Sequence, residues 1–487
     1  MNRTDGAKWY EKFIKNTAAQ KDGDMRSAKK SARPKHSGAK SESSKRSSEK
    51  SGGCRIENDV PKRKRSQTER HAPLDNTLRS KPSRALDAAI VKQRSMFSAS
   101  AIPPDAQNVI DEFDKIVQSV FPANGRQLAS LPKNINALSH ALTDERSERR
   151  RGYMNAPETL AAYARYFSWW NIVRFTRLFA NFEKDAFALS DGDVCLDVGS
   201  GPLTAVISLW LARPELRNKK LTWYCMDISQ TSLALGEDLY LSIASRVPPP
   251  DKSAAAHWTI VRAKGALGDP LRQKASLIVC ADMLNELKET DERSDEVRAK
   301  QYASSLLSYA AKKYSLLIIE PGVPDAARII SLMRDVLIKK NMTIVSPCPH
   351  ANACPMNGYR AHTGSASKWC NFAFSTEDAP SALLKLSEDA KLPKTRAVVS
   401  FLFVKSEAEN SDKKSASTEF PIRIVSDAIS LPGRASGHYA CSQLGLTLAV
   451  PASGRTFSSG DRITVSPLPD SVKLPKDEKS GAAVIRI

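Results

Sequence analysis

The chain is predicted to be an α/β protein whose mostly parallel sheet carries helices on both faces. Three observations predict this fold class. From residue 193 onward, short apolar runs alternate with helical segments, which is the pattern of strands joined by crossover helices. A turn with two glycines follows the first apolar run and opens an apolar helix. Asp227 directly ends the second run, so both features fall at one edge of the predicted sheet.

Composition excludes several classes of protein. The chain has 487 residues, 41% hydrophobic and 26% charged, which predicts more than one folded unit with a sizeable core. No stretch approaches the roughly 18–20 uninterrupted apolar residues of a membrane span, and no secretory signal is apparent. Eight cysteines are too few for a disulfide scaffold. We therefore expect a soluble monomer, cytoplasmic in a bacterium and mitochondrial in a eukaryote, with no membrane partner.

Residues 1–80 are predicted to form a disordered basic tail. The net charge of the chain is +20, and residues 25–70 contribute half of it through 15 Lys and Arg against 5 Asp and Glu. Because this segment has almost no aliphatic residues, it cannot bury enough surface to fold. Such a tail binds nucleic acid by releasing counterions from phosphates, or else serves as a solubilising spacer.

A helical region is predicted over residues 95–190. Ile110, Phe113, Ile116 and Val117 recur at helical spacing. An aromatic and arginine-bearing helix pair follows at residues 159–182. Its aromatic side chains either form the packed face of a helix or stack on bases.

The α/β domain is predicted over residues 191–405. Its expected strands are residues 194–198, 221–226, 258–261, 277–280, 316–319, 341–345 and 397–405. Its expected helices are residues 203–212, 231–243, 296–311 and 326–339. A polar linker over residues 406–419 then leads to a small β-rich module at residues 420–467.

The candidate cofactor site lies in the turn Leu196-Asp197-Val198-Gly199-Ser200-Gly201-Pro202. Glycine lets the backbone approach a ligand closely, and the following helix offers free N–H groups. An acid after the second strand suits the hydroxyl groups of a ribose. The pattern resembles the class I S-adenosylmethionine (SAM) methyltransferase core, the alternative being a tight turn that binds no ligand. The candidate cofactor-binding residues are Asp197, Gly199, Ser200, Gly201, Pro202, Asp227 and Asp282.

No catalytic residue is assigned from the sequence. Residues 281–287 and 320–324 follow the fourth and fifth strands, at the edge where ligands bind in such folds. The Asn/Asp-Pro-Pro-aromatic motif of amino-methylating enzymes is missing there. Cys280, the nearest thiol, falls inside an apolar strand, so a cysteine nucleophile is not indicated.

Three cysteines, Cys348, Cys354 and Cys370, fall within 23 residues of one another. Their spacing does not suit zinc, which favours two to four residues between paired ligands. Cys-Pro steps are typical of iron–sulfur ligands. Cys441 is the expected fourth ligand, because the other cysteines lie in predicted strands or in the tail. A [4Fe-4S] cluster is therefore favoured, with zinc or four unrelated thiols as the alternatives.

These motifs together resemble the ribosomal small-subunit methyltransferase-like family, which comprises mitochondrial small-subunit assembly factors and their bacterial relatives. The resemblance covers about residues 153–465 and depends on residues 196–202, 284–287, 320–324 and the cysteine pattern at residues 348–372. It implies a SAM-type fold and association with the small ribosomal subunit during its maturation. It also implies a [4Fe-4S] cluster held by Cys348, Cys354, Cys370 and Cys441.

Two functions of different class follow as expectations. One is a small-subunit assembly or translation factor that binds ribosomal RNA (rRNA) without catalysis. The other is an active SAM-dependent methyltransferase acting on rRNA or on a ribosomal protein. The sequence does not decide whether the chain is an enzyme.

Overall fold

A computed structural model of the chain describes residues 89–143, 152–287, 293–360, 367–406, 419–432, 435–452, 455–466 and 474–487. The chain divides into two units, Met1–Ser83 and Arg84–Ile487, and all the described residues belong to the second. The predicted basic tail therefore lies outside the described residues. No helix in the described part of the chain is long and apolar enough to cross a membrane.

Several helices begin with proline as their first residue, where its fixed φ angle and missing N–H are tolerated. The helices of the described residues are α1 Pro104–Asp111, α2 Phe113–Val120, α3 Gly125–Thr143, α4 Pro157–Ala162, α5 Ser168–Ala180, α6 Thr204–Ala212, α7 Pro214–Arg217, α8 Gln230–Arg246, α9 Asp295–Leu307, α10 Pro324–Lys339 and α11 Ser381–Asp389. A π-helical turn, Tyr163–Phe167, joins α4 to α5.

Strands make up two separate sheets. They are β1 Ala89–Arg94, β2 Val194–Val198, β3 Thr222–Asp227, β4 Thr259–Lys264, β5 Ala275–Ala281, β6 Ala310–Pro321, β7 Met342–Ser346, β8 Phe372–Ser375, β9 Arg396–Ser406, β10 Phe420–Ile424, β11 Ile429–Ser430, β12 Ser436–Ser442, β13 Gly445–Val450, β14 Arg462–Ser466 and β15 Ala483–Arg486.

The larger sheet has the strand order β4-β3-β2-β5-β6-β9-β7, with β8 paired to β9. Strands β2 to β6 are mutually parallel, whereas β9 is antiparallel to both β6 and β7. The chain winds outward from β2 in one direction and from β5 in the other, which creates a switch point between them. The predicted α/β fold with a mostly parallel sheet is confirmed.

Helices cover both faces of this sheet. One apolar core contains Trp210 of α6 and Leu233 of α8, and the other contains Ala299 of α9 and Met333 of α10. Apart from Asp197 and Ser276, the central strands β2 and β5 are apolar, because both of their faces are buried.

The aromatic side chains of the helical region belong to the core. Trp169 and Trp170 on α5 are almost fully buried. The Trp169 indole donates to the carbonyl of Ile110 (2.7 Å), and the Trp170 indole donates to the hydroxyl of Ser387 (3.2 Å). These side chains form a packed helix face and are not available to stack on bases.

The second sheet has the order β1-β14-β10-β12-β13-β15, with β11 paired to β12. Its two flanking strands, β1 and β15, were not predicted. β1 pairs with β14 across more than 360 residues of sequence, so no local pattern marks it. The structure also differs inside the larger sheet, where the predicted helix 296–311 ends at Leu307 and β6 begins at Ala310. β8 and α11 were likewise not predicted.

Candidate functional site

A cavity of about 430 Å³ opens at the carboxyl ends of the parallel strands, beside the switch point between β2 and β5. Such a volume is typical of small-molecule sites, and this edge is where ligands bind in open α/β folds. Its lining comes from the turns after β2, β3, β4 and β5, from α9, and from the segment around α4. The predicted residues that line it are Gly199, Gly201, Asp227 and Asp282.

The turn after β2 requires glycine at two positions. Gly199 and Gly201 have φ angles of +72° and +51°, in the left-handed region that other residues rarely adopt. A Cβ atom on Gly199 would lie 2.2 Å from Cγ of Met283, which closes over the turn. The backbone N–H groups of Gly199 and Ser200 donate to the carbonyl of Met226 on β3 (2.8 and 3.0 Å). The turn is therefore tied to the neighbouring strand.

Asp227 stands at the end of β3 with its carboxylate toward the same turn. Its Oδ2 accepts from the Gly201 N–H (3.0 Å), and its Oδ1 accepts from the Ser229 N–H (2.8 Å). Burial raises the pKa of Asp227, while the backbone donors oppose that rise. These hydrogen bonds favour the ionised form, which is the form that accepts hydrogen bonds from hydroxyl groups.

Three predicted residues lie beneath or beside the turn. Asp197 is 1% exposed and accepts from the Ser200 hydroxyl (2.8 Å). Burial raises the pKa of Asp197 to about 7. Both residues line a second cavity of about 20 Å³ below the turn. Pro202 packs on Gly236 of α8. Their contacts shape the turn from below.

Asp282 follows β5 in a strained conformation, with a φ angle of +51°. Its Oδ2 lies 3.2 Å from a guanidinium nitrogen of Arg174, and both side chains are largely buried. Its Oδ1 is buried and has no hydrogen-bond partner among the described residues. Burial raises the pKa of Asp282, and Arg174 opposes the rise.

The role of Glu320 was not predicted. This residue on β6 is 1% exposed and accepts from the Leu284 N–H (2.8 Å) and from the backbone and side-chain amides of Asn285 (3.1 and 2.7 Å). Burial and the neighbouring Asp282 raise the pKa of Glu320 to about 8. It holds the turn that presents Glu286 to the cavity, where the Tyr153 hydroxyl donates to that carboxylate (3.2 Å). The sequence shows residues 284–287 and 320–324 as separate motifs, but it does not show that the Glu320 carboxylate binds the turn at residues 284 and 285.

The four predicted cysteines lie in separate segments of the chain. Cys348 and Cys354 lie in the loop after β7, Cys370 precedes β8, and Cys441 lies on β12 of the other sheet. Burial raises the pKa of Cys370 well above its ordinary value, and Cys348, Cys354 and Cys441 raise it further. Cys441 likewise has a pKa raised by burial and by Cys348 and Cys354. All four are free thiols.

Basic side chains surround these thiols. The Nε atom of Arg334 lies 3.3 Å from the Cys348 sulfur, and Nε2 of His350 lies 3.0 Å from the Cys441 sulfur. Arg423, which is buried, donates from Nε to the carbonyl of Pro347 (2.8 Å). Within the described ranges, no group of three or more His, Cys, Asp or Glu side chains that could hold a metal ion is found.

Comparisons with known proteins give one family match. The model of the family described as mitochondrial small ribosomal subunit Rsm22 matches residues 184–442, which is more than half of the chain. No curated protein matches.

Solved structures of SAM-dependent methyltransferases are similar to parts of the chain. One from Clostridium acetobutylicum is 16% identical over 32% of this chain and about half (51%) of that protein, with a TM-score of 0.21. One from Thiobacillus denitrificans, in complex with S-adenosyl-L-homocysteine, is 11% identical over 46% of this chain and 89% of that protein (TM-score 0.28). A putative class I SAM-dependent methyltransferase from Listeria monocytogenes is 12% identical over 65% of this chain and 92% of that protein (TM-score 0.28).

Proposed function

This chain belongs to the Rsm22 family of the mitochondrial small ribosomal subunit, and from that premise we propose that it is an assembly or translation factor of the small ribosomal subunit. It binds rRNA, it binds SAM in the cavity at the sheet edge, and it carries a [4Fe-4S] cluster on four cysteines. The observation that carries the proposal is the cavity itself, because the glycine turn and Asp227 line it together.

The residues of the cavity fit SAM. A Cβ position on Gly201 has no atom nearer than 3.9 Å, which leaves room for a ligand beside the turn, and the Asp227 carboxylate suits ribose hydroxyl groups. Asp282 also lines this cavity, at the end of β5. Asp197, Ser200 and Pro202 shape the turn from below. SAM supplies an electrophilic methyl group when it is bound.

Two observations support a cluster on Cys348, Cys354, Cys370 and Cys441. All four are free thiols, and their electrostatic effects on one another connect each of them to the other three. A single zinc ion requires its sulfur ligands about 2.3 Å from one point, and the described residues contain no such group. The cluster supplies a fixed link between the loop after β7 and β12.

Charge supports binding to rRNA. The chain carries a net charge of +20, and half of it lies in residues 25–70. The logarithm of the affinity of such a segment for phosphates falls linearly with the logarithm of the salt concentration. We expect full-length protein to bind small-subunit rRNA with a steep salt dependence, and deletion of residues 1–80 to weaken binding and reduce the slope. Unchanged affinity and slope after the deletion would assign the tail a solubilising role.

A second candidate function, methyl transfer to rRNA or a ribosomal protein, is favoured by one observation. The carboxylate of Glu286 lines the cavity, held by the Tyr153 hydroxyl and by a turn that Glu320 fixes. A carboxylate at this position would accept the proton that a methyl acceptor loses.

The experiment that separates the two functions begins with calorimetric titration of the protein with SAM. It is followed by transfer of a labelled methyl group to purified small subunits. Binding of SAM without transfer supports the assembly factor, and binding with transfer supports the enzyme. A protein that binds neither SAM nor small subunits contradicts both.

A further inference from the structure

We propose that Arg334 raises the reduction potential of a cluster on the four cysteines, because its charged Nε–H group points at the Cys348 sulfur. This inference rests on the cluster of the proposed function and extends it to a residue that is not a ligand. Arg334 is a positioning and charge-compensating residue.

The side chain of Arg334 is held in one orientation. It lies on α10, is 2% exposed, and donates from Nη2 to the carbonyls of His350 (2.9 Å) and Asn352 (2.8 Å). Its Nη1 pairs with the Asp335 carboxylate (2.8 Å). Because the guanidinium group is planar and rigid, these bonds together determine where its Nε–H group points. Its Nε is directed at the Cys348 sulfur, at 3.3 Å. The backbone of the cysteine loop therefore fixes the hydrogen bond to sulfur.

The charge of Arg334 acts at short range in a buried site. A thiolate that binds iron keeps much of its negative charge, and a charge-assisted N–H···S bond stabilises that charge. Reduction adds one electron to the cluster and increases the negative charge that the guanidinium group faces. Hydrogen bonds to the sulfurs and burial are among the factors that set the reduction potentials of such clusters. Arg334 therefore favours the reduced state.

The chain offers a matched control on the same helix. Arg328 also holds the cysteine loop, because its Nη2 donates to the carbonyl of Gly358 (3.2 Å). Its other partners are Asp295, Asp325 and the ring of Tyr359, and none of its contacts among the described residues is with a sulfur. Loss of Arg328 removes a tie to the loop without removing an N–H···S bond.

The test compares Arg334→Gln, Arg334→Lys and Arg328→Gln with the wild-type full chain, all purified anaerobically. Iron and sulfide content is measured first, and the midpoint potential is then measured by titration with dithionite. We expect Arg334→Gln to shift the potential to a more negative value. Arg334→Lys, which keeps the charge and serves if the Gln variant loses the cluster, should shift it less. Arg328→Gln should leave it unchanged.

Two results would overturn the inference. Wild-type potentials in both Arg334 variants would show that the contact with sulfur has no effect. An equal shift in Arg328→Gln would show that the effect comes from holding the loop. A wild-type protein without iron would instead contradict the proposed cluster, and the two failures are therefore distinguishable.

Discussion

The backbone N–H of Gly201 donates a 3.0 Å hydrogen bond to the carboxylate of Asp227. This bond joins the turn after β2 to the end of β3, so it ties together two features of the cavity that are distant in the sequence. A site whose parts are fixed in advance loses less conformational entropy when the ligand binds. The geometry of this turn is therefore a direct target for mutation.

Gly199→Ala should destabilise the protein more than Gly192→Ala. Both glycines have positive φ angles, which cost a substituted residue about 1–2 kcal/mol. Only at Gly199 would the new Cβ overlap another atom, 2.6 Å from Cβ of Met283, and overpacking costs a further 1–3 kcal/mol or so. Denaturant unfolding of both variants measures the difference. Equal losses would show that Met283 moves away without cost.

Asp197→Asn should flatten the dependence of stability on pH. The pKa of Asp197 rises from an unfolded value near 3.8 to about 7 in the folded protein. Between these values the folded state holds a proton that the unfolded state has released, so stability falls as pH rises from about 4 to 7. The Asn variant cannot titrate and loses this part of the slope. Thermal unfolding of both proteins between about pH 4 and pH 7 measures the slope of stability against pH.

The control for this experiment is Asp238→Asn, which changes an exposed carboxylate on α8. It should keep the wild-type slope. If Asp197→Asn and the wild type share one slope, the carboxyl group of Asp197 does not carry the proton assigned to it.

Cys441→Ser should remove the cluster and loosen the smaller sheet while leaving the larger sheet folded. Cys441 lies on β12, and its three partner cysteines lie in segments next to the larger sheet, so a cluster would connect the two sheets. Iron content and visible absorption report the cluster, and hydrogen exchange in β10 to β14 reports the loosening. Cys195→Ala, a buried thiol on β2 outside this group, should keep its iron. Full iron content in Cys441→Ser would contradict the four-thiolate site.

The larger sheet was predictable because its strands and helices have local signals. Residues 194–198 and 277–280 are short apolar runs, as expected of strands buried on both faces, and each is followed by a polar turn. The position of Asp227 relative to the glycine turn followed from the rule that parallel strands end at one edge. These inferences require only pattern and spacing along the chain.

Features that depend on distant contacts were missed or only partly predicted. β1 pairs with β14, and Glu320 binds the backbone of residues 284 and 285, so neither role is visible in the neighbouring sequence. The contact of Arg334 with Cys348 likewise depends on how α10 packs against a loop. No periodicity or motif marks an arginine for such a contact.

The most direct test of the account is calorimetric titration of the protein with SAM, comparing the wild type with Asp227→Asn and Asp238→Asn. Asp227 lines the cavity, whereas Asp238 is an exposed carboxylate on α8. A hydrogen bond to a charged group contributes about 1.5–3 kcal/mol, so Asp227→Asn should weaken binding by roughly tenfold or more. Saturable binding of one SAM by the wild type and by Asp238→Asn, together with this loss in Asp227→Asn, is the predicted result. Absence of SAM binding by the wild type, or equal affinity in all three proteins, would contradict the account.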